Sequence, residues 1–107
     1  MDYDENQLPL PPSFHALYLD ERQRPTAPMM AVQGRYELCE DLAQHLTAQA
    51  LALHPDGFAE QHALLQRFYA TLSVPEAGLL HVEARWVVQR LAELLGWPRE
   101  TADETSA

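Results

Sequence analysis

The spacing of apolar residues between Met29 and Leu53 is the feature that most constrains the fold of this chain. Successive apolar positions are three or four residues apart, which places them on one face of a helix. They are Met29, Val32, Tyr36, Cys39, Leu42 or Ala43, Leu46, Ala50 and Leu53. We therefore predict a helix that begins between Thr26 and Pro28 and ends near Leu53, where the sequence His54-Pro55-Asp56-Gly57 turns the chain.

The last predicted helix, from Ser73 to Gly96, carries signals for both of its ends. Ser73 and Glu76 have the spacing of a capping box, and Pro75 fits the first helical turn. Gly96 can take the left-handed conformation that ends a helix, and Pro98 blocks its continuation. The predicted buried face contains Leu80, Ala84, Val87, Leu91 and Leu94 or Leu95, with Trp86 and Val88 on its flanks.

Two further helices complete the prediction. Asp56 is expected to cap a helix that begins at residue 57 or 58 and ends near residue 72, and Ser13 is expected to cap a short helix over residues 14–19. The apolar stripe of the longer of these helices contains Leu65, Phe68, Tyr69 and Leu72, with Ala59 and Ala63 as small contacts.

No segment shows the alternation that is typical of a strand, so the sequence predicts an all-α protein. We expect a small helical bundle of one short and three longer helices, formed by residues 13–98. Residues 1–12 are expected to be an extended Pro-rich arm, and residues 99–107 a disordered polar tail.

The negative charge of the chain lies largely near its two ends. The net charge is −9, but residues 6–98 contain only ten acidic residues against six arginines. Nucleic acid binding needs clustered cations, whereas the arginines here are scattered along a chain without lysine. No apolar run approaches the ~20 residues of a membrane span. We therefore expect a cytoplasmic protein with no nucleic acid and no membrane partner.

The residues that could carry catalysis or bind a cofactor do not form a recognisable pattern. No two histidines are four residues apart, as they usually are in a helical zinc site, and the chain has no Gly-rich phosphate loop. Cys39 lies among acidic residues at a core position of its helix, so we expect its thiol to be structural. We therefore expect no metal and no cofactor, and the sequence favours a non-enzymatic role while leaving an enzyme open.

Two groups of residues are candidates for a surface that binds a partner protein. Glu37, Glu40 and Asp41 form a carboxylate cluster on the second helix. Such a cluster either stays solvated, pairs with an arginine of another helix or docks a basic partner. Trp86 and Trp97 lie on the fourth helix and at its end, where an aromatic side chain covers the core or anchors a partner.

The length of the second helix predicts self-association. A helix of about 26 residues is about 39 Å long, whereas a compact domain of ~100 residues has a radius of gyration near 13 Å. Its apolar face runs almost from end to end, so either Gly34 breaks the helix or a second copy of the chain covers the overhang. We expect a homodimer, with another protein as the alternative partner.

Three segments of the chain together resemble a known family. They are PPSFHALY at 11–18, RYELCEDLAQ at 35–44 and RWVVQRLAELLGWP at 85–98. Over most of residues 8–98 the chain is similar to a family of short uncharacterised proteobacterial proteins, some of which are labelled "ATPase with chaperone activity". Because the chain has no P-loop, the resemblance implies an accessory of a chaperone ATPase, and it assigns no functional residue.

The expected function is a non-enzymatic interaction or adaptor module. Two alternatives stay open, namely the accessory of a chaperone ATPase and a helical bundle that binds a small ligand. A ligand-binding bundle would need a buried polar pocket between helices, lined by His45, Tyr36 or Arg90. A continuous apolar seam would instead favour the interaction module.

Overall fold

The chain is all-α, as the periodicity predicts. The computed structural model describes residues 10–97. Its helices are α1 (Pro12–His15), α2 (Met29–Leu53), α3 (Phe58–Leu72) and α4 (His81–Leu95), with single 3₁₀ turns at Ala16–Tyr18 and Pro75–Ala77. Over these residues there is no strand, and the only extended pairing is one bridge between Leu19 and Pro25. Most of the predicted arm and all of the predicted tail lie outside the described residues.

The chain divides into two compact units, Met1–Leu38 and Cys39–Ala107. Their described parts are residues 10–38 and 39–97, and the boundary falls inside α2. None of the helices in these parts is both long enough and apolar enough to cross a membrane.

The first unit is organised around the aromatic ring of Phe14. This side chain is fully buried, and its ring contacts Tyr36 edge to face at 5.7 Å between centroids and Tyr18 at 5.8 Å. The carbonyl of Pro11 accepts the amides of Phe14 and His15, so α1 begins one residue before the predicted cap. The prediction that Ser13 caps this helix is therefore wrong, because the fixed backbone of consecutive prolines already sets the helical start.

The core of the second unit comes from all three of its long helical segments. The part of α2 after residue 38 buries Cys39, Ala43, Leu46 and Ala50, at steps of four, three and four residues. The helices α3 and α4 pack against each other. They contribute Leu64, Leu65 and Leu72 from α3, and Ala84, Trp86, Val87, Val88, Leu91 and Ala92 from α4. This confirms the predicted stripe of α2 from Cys39 to Ala50 and most of that of α4. The predicted burial of Met29 and Leu53 at the two ends of the α2 stripe is wrong, because both side chains are more than half exposed.

Several predicted core positions are exposed. Leu80 is 55% exposed because it precedes α4 and lies outside the helical face. Ala59 and Ala63 are exposed on α3, where Leu64 and Leu65 supply the buried contacts instead. The predicted contacts of these three residues are therefore wrong.

The start of α4 differs from the prediction. The Ser73 hydroxyl donates a 2.7 Å hydrogen bond to the Tyr69 carbonyl, so this residue finishes α3. Gly78 then takes the left-handed conformation, with φ of 75°, and separates the turn that contains Glu76 from α4. The helix begins at His81, and the chain has no capping box at residues 73–76. Local signals pointed to Ser73 because a serine can serve the end of one helix as well as the start of the next.

Glu83 supplies the cap that Ser73 does not. Its carboxylate accepts the Leu80 amide at 3.0 Å, while the side chain itself is fully buried. A glutamate at the third helical position can satisfy one of the amides that the helix start leaves open. A fully buried acid is uncommon, and the apolar pattern of the sequence does not predict a core position for Glu83.

The end of α4 confirms the prediction. Gly96 is left-handed, with φ of 73°, and its amide donates to the Glu93 carbonyl at 3.1 Å. The amide of Trp97 donates to the Ala92 carbonyl at 2.9 Å. These two bonds form a Schellman motif, which satisfies carbonyls that would otherwise be left open at the helix end.

The helix α2 is continuous through Gly34. It spans 25 residues, and a methyl group added at Gly34 would meet no atom within 4 Å. Within residues 10–97 the glycine therefore marks neither a break nor a close contact. The sequence leaves two alternatives for the long helix α2, a break at Gly34 or cover by a second copy of the chain. The break at Gly34 does not occur.

Candidate interaction surface

One member of the predicted carboxylate cluster, Glu40, forms a salt bridge inside the second unit. Arg90 on α4 donates from Nε to Glu40 Oε1 at 2.9 Å and from Nη2 to Oε2 at 3.1 Å. The two parallel bonds match the planar guanidinium to the planar carboxylate, the geometry in which such pairs are strongest. Gln44 adds a 2.7 Å bond to Oε2, and Glu93 accepts from Arg90 Nη1 at 3.3 Å.

The electrostatics of this pair follow from its geometry. The hydrogen bonds from Arg90 lower the pKa of the Glu40 carboxyl, more than partial burial raises it, and the bond from Gln44 acts in the same direction. The bond to Glu40 in turn raises the pKa of Arg90. Both groups are therefore held in their charged forms, and the pair ties α2 to α4.

The other two members of the predicted cluster are exposed. Asp41 lies on the solvent side of α2 in the second unit, and Glu37 is exposed on the part of α2 that belongs to the first unit. Of the three outcomes open at the sequence level, Glu40 takes the pairing with an arginine of another helix. Its negative charge is compensated, whereas no cation within residues 10–97 pairs with Asp41 or Glu37.

The two predicted tryptophans have different environments. Trp86 is only 6% exposed and belongs to the core of the second unit. It is therefore a packing residue in this conformation. Trp97, whose amide forms one bond of the Schellman motif, is half-buried, and part of its side chain is accessible to a partner.

Exposed apolar side chains that the sequence pattern does not predict lie where α2 turns into α3. Leu51, Leu53 and Phe58 are each more than half exposed there, and we call these three residues the corner surface. Leu51 lies off the buried stripe of α2. An apolar residue on the polar side of a helix is the one feature of the sequence that could have indicated this surface. Leu53 continues the stripe, but it lies beyond the last buried position, Ala50.

Next to the corner surface is an open cleft of about 240 Å³. It is lined by Leu53, Pro55, Glu60, Ala63, Leu64 and Arg67. Four of these residues are apolar, and the two charged ones lie on α3 with opposite signs. The pattern of an apolar floor with few polar groups at its edge is typical of binding sites.

The start of α3 positions this cleft. Gly57 precedes the helix without a side-chain cap, so the prediction that Asp56 caps α3 is wrong. The bond runs in the opposite sense, because Glu60 Oε1 accepts the Asp56 amide at 2.8 Å. This fixes the Glu60 carboxylate at the first turn, where the helix dipole also favours negative charge.

Phe58, a member of the corner surface, stacks its ring on that of His62, with centroids 5.8 Å apart and planes 25° apart. The Nδ1 atom of His62 is buried and has no hydrogen bond partner within residues 10–97.

Other side chains that could react, bind a ligand or bind a metal do not line the cleft. Cys39 is fully buried at its stripe position, which confirms its placement in the core. None of Tyr36, His45 or Arg90 lines the cleft, although these were the residues expected around a ligand pocket. Across the part of the chain that the structure describes, no three His, Cys, Asp or Glu side chains are grouped so that they could hold a metal ion.

The second unit thus presents the corner surface with its cleft on one side, and Asp41 and Trp97 as separate accessible residues. Comparisons of the chain with protein-family models, with curated proteins and with solved structures find no match.

Proposed function

We propose that this chain is a non-enzymatic helical module for protein–protein interaction and that it acts as a homodimer. The observation that carries the proposal is the corner surface with its adjoining cleft. Three large apolar side chains near the turn from α2 into α3 are more than half exposed, and such side chains are favourable to cover and costly to leave in water. Their cover by a partner would bury apolar area that folding alone does not bury.

The length of α2 supports a second copy as the partner. The helix is unbroken, and apolar side chains near both of its ends are exposed, namely Met29, Met30, Leu51 and Leu53. A helix of this length is about 38 Å long at 1.5 Å per residue. A second copy offers the same exposed apolar side chains, so one association can cover apolar area on both chains.

The polar side chains of the second unit support a binding role over a catalytic one. Glu40, Arg90 and Gln44 hold two helices together, and Glu83 caps a helix start. Asp41 remains accessible, as does part of Trp97, so a basic or aromatic-binding partner protein would meet these two residues. The proposal therefore assigns self-association to the apolar corner and leaves the acid and the tryptophan for a different protein.

Sedimentation equilibrium of the full chain tests the proposal. The molar mass should rise from the 12.1 kDa of one chain toward twice that value as the concentration increases. A range from about 1 to about 100 µM covers the affinities expected for an interface of modest size. A mass that stays at one chain over the whole range would refute the homodimer.

A further inference from the structure

We infer that the homodimer forms through α3, with two copies of the helix antiparallel about a twofold axis beside Ala63. In this arrangement Glu60 of one copy faces Arg67 of the other, and the same pair repeats on the opposite side of the axis. The inference rests on the proposed function, because it names the surface through which the proposed dimer would form.

The first support is the placement of the residues along α3. Glu60, Ala63 and Arg67 occupy positions i, i+3 and i+7, so they share one side of the helix. All three line the same cleft and are exposed. The two charges are separated by about 10 Å along the axis, two helical turns, with the alanine between them.

The second support is the charge of this side. Within residues 10–97 Arg67 forms no salt bridge, and the Glu60 carboxylate is bound by a backbone amide and by no cation. One acid and one base at equal distances from a central point form a self-complementary pattern. A twofold axis through that point brings each charge opposite its counterion, which is the condition for an isologous interface.

The third support is shape. The alanine at the centre leaves no side chain beyond Cβ to hold a second helix away, so two helices can approach within the 8–10 Å that is typical of packed pairs. Leu53 and Pro55 lie beside the N-terminal half of α3. In the antiparallel arrangement this half meets the C-terminal half of the other copy, where the aliphatic part of the Arg67 side chain can cover them.

Two charge-reversal variants test the arrangement by sedimentation equilibrium. In Glu60→Arg both copies carry two arginines on this side, and in Arg67→Glu both carry two glutamates. Each variant alone places like charges opposite each other twice per dimer, so we expect the dissociation constant to rise at least about tenfold. An equimolar mixture of the two variants pairs every arginine with a glutamate, and its dissociation constant should return close to that of the natural chain.

Matched controls separate this effect from the change in net charge. Arg22→Glu and Glu76→Arg make the same charge changes at exposed positions that do not belong to α3, and they should leave the dissociation constant unchanged. Far-UV circular dichroism of each variant checks that helix content is kept. If Glu60→Arg loses its fold together with the Asp56 hydrogen bond, Arg67→Glu and its mixture with the natural chain carry the test, because that mixture relieves one of the two repulsive pairs.

The possible results distinguish this inference from the proposed function. If the natural chain dimerises and both variants dimerise equally well, the interface is not on α3 and the homodimer stands. If the variants are monomeric and their mixture is too, the charges act on folding and not across the axis, which overturns the inference. If the natural chain is monomeric at all concentrations, both proposals fail.

Discussion

A glycine-to-alanine substitution at Gly34 should stabilise this protein. The glycine lies inside α2 with helical backbone, and a new methyl group would meet no atom within 4 Å. Alanine is favoured over glycine inside a helix by about 1 kcal/mol, chiefly because glycine loses more backbone freedom when it folds. With no steric cost to offset it, Gly34→Ala should raise the free energy of unfolding by about 0.5–1 kcal/mol. In a domain of this size 1 kcal/mol corresponds to about 4–8 °C in Tm.

The same substitution at Gly96 provides the matched control. Here a methyl group would also meet no atom within 4 Å, but φ is +73°, a conformation that costs an L-residue roughly 1–2 kcal/mol. We therefore expect Gly96→Ala to destabilise the chain by about 1 kcal/mol, so that two chemically identical changes have opposite signs. Urea unfolding followed by far-UV circular dichroism measures both values. A Gly34→Ala variant that is destabilised would mean that α2 is broken at this glycine or that another surface packs closely against it.

Three further predictions concern single contacts. Glu83→Ala removes the cap of α4 and opens a cavity at a fully buried position, so it should lower the free energy of unfolding by about 2–4 kcal/mol, whereas Glu76→Ala should cost less than about 0.5 kcal/mol. Equal costs would contradict the helix start at residue 81. Arg90→Met should cost about 1 kcal/mol at neutral pH. The pKa of Glu40 is lowered in the folded chain, so this stabilisation is present above the ordinary carboxyl pKa and is lost as the pH falls through the lowered value. A difference between the unfolding curves of the natural chain and Arg90→Met that persists in strong acid would contradict the pairing. In a chain whose other tryptophan is replaced by phenylalanine, Trp86 should resist quenching by acrylamide, and ready quenching would contradict its burial.

The elements that could be predicted from the sequence are those fixed by local chemistry. Pro55 cannot continue a helix, and α2 ends at Leu53. Gly96 reaches the left-handed region without strain, and α4 ends directly before it. The buried stripe of α2 was predictable because a helix repeats every 3.6 residues whatever packs against it.

The start of α4 was not predictable in the same way because one residue, Ser73, can serve either of two helices. Ser73 can cap the helix after it or bond back to the helix before it, and only the packed structure decides in favour of Tyr69. The burial of Glu83 was not predictable either, since an acid followed by an apolar run is usually on the surface. Both errors moved the predicted start toward Ser73 and placed Leu80 inside the helix.

The candidate surface was less predictable than the fold because it depends on contacts between distant residues. Glu40 and Arg90 are 50 residues apart, and no local pattern pairs them. The exposure of Leu51 and Phe58 depends on where the packing of α2 and α3 stops, which periodicity alone does not give. Only the structure therefore shows which residues of an apolar helix face are in the core and which are accessible.

A cysteine placed at the centre of α3 tests the central claim of an α3-mediated homodimer most directly. Ala63 is exposed beside the inferred twofold axis, and the natural Cys39 is fully buried and should not cross-link. Disulfides join residues whose Cα atoms are about 4.4–6.8 Å apart, so cross-linking reports close approach of the two helices. Under mild oxidation Ala63→Cys should give a covalent dimer in high yield, and Ala77→Cys, an exposed control outside α3, should give little. Equal yields from the two variants, or no covalent dimer from Ala63→Cys, would contradict the account.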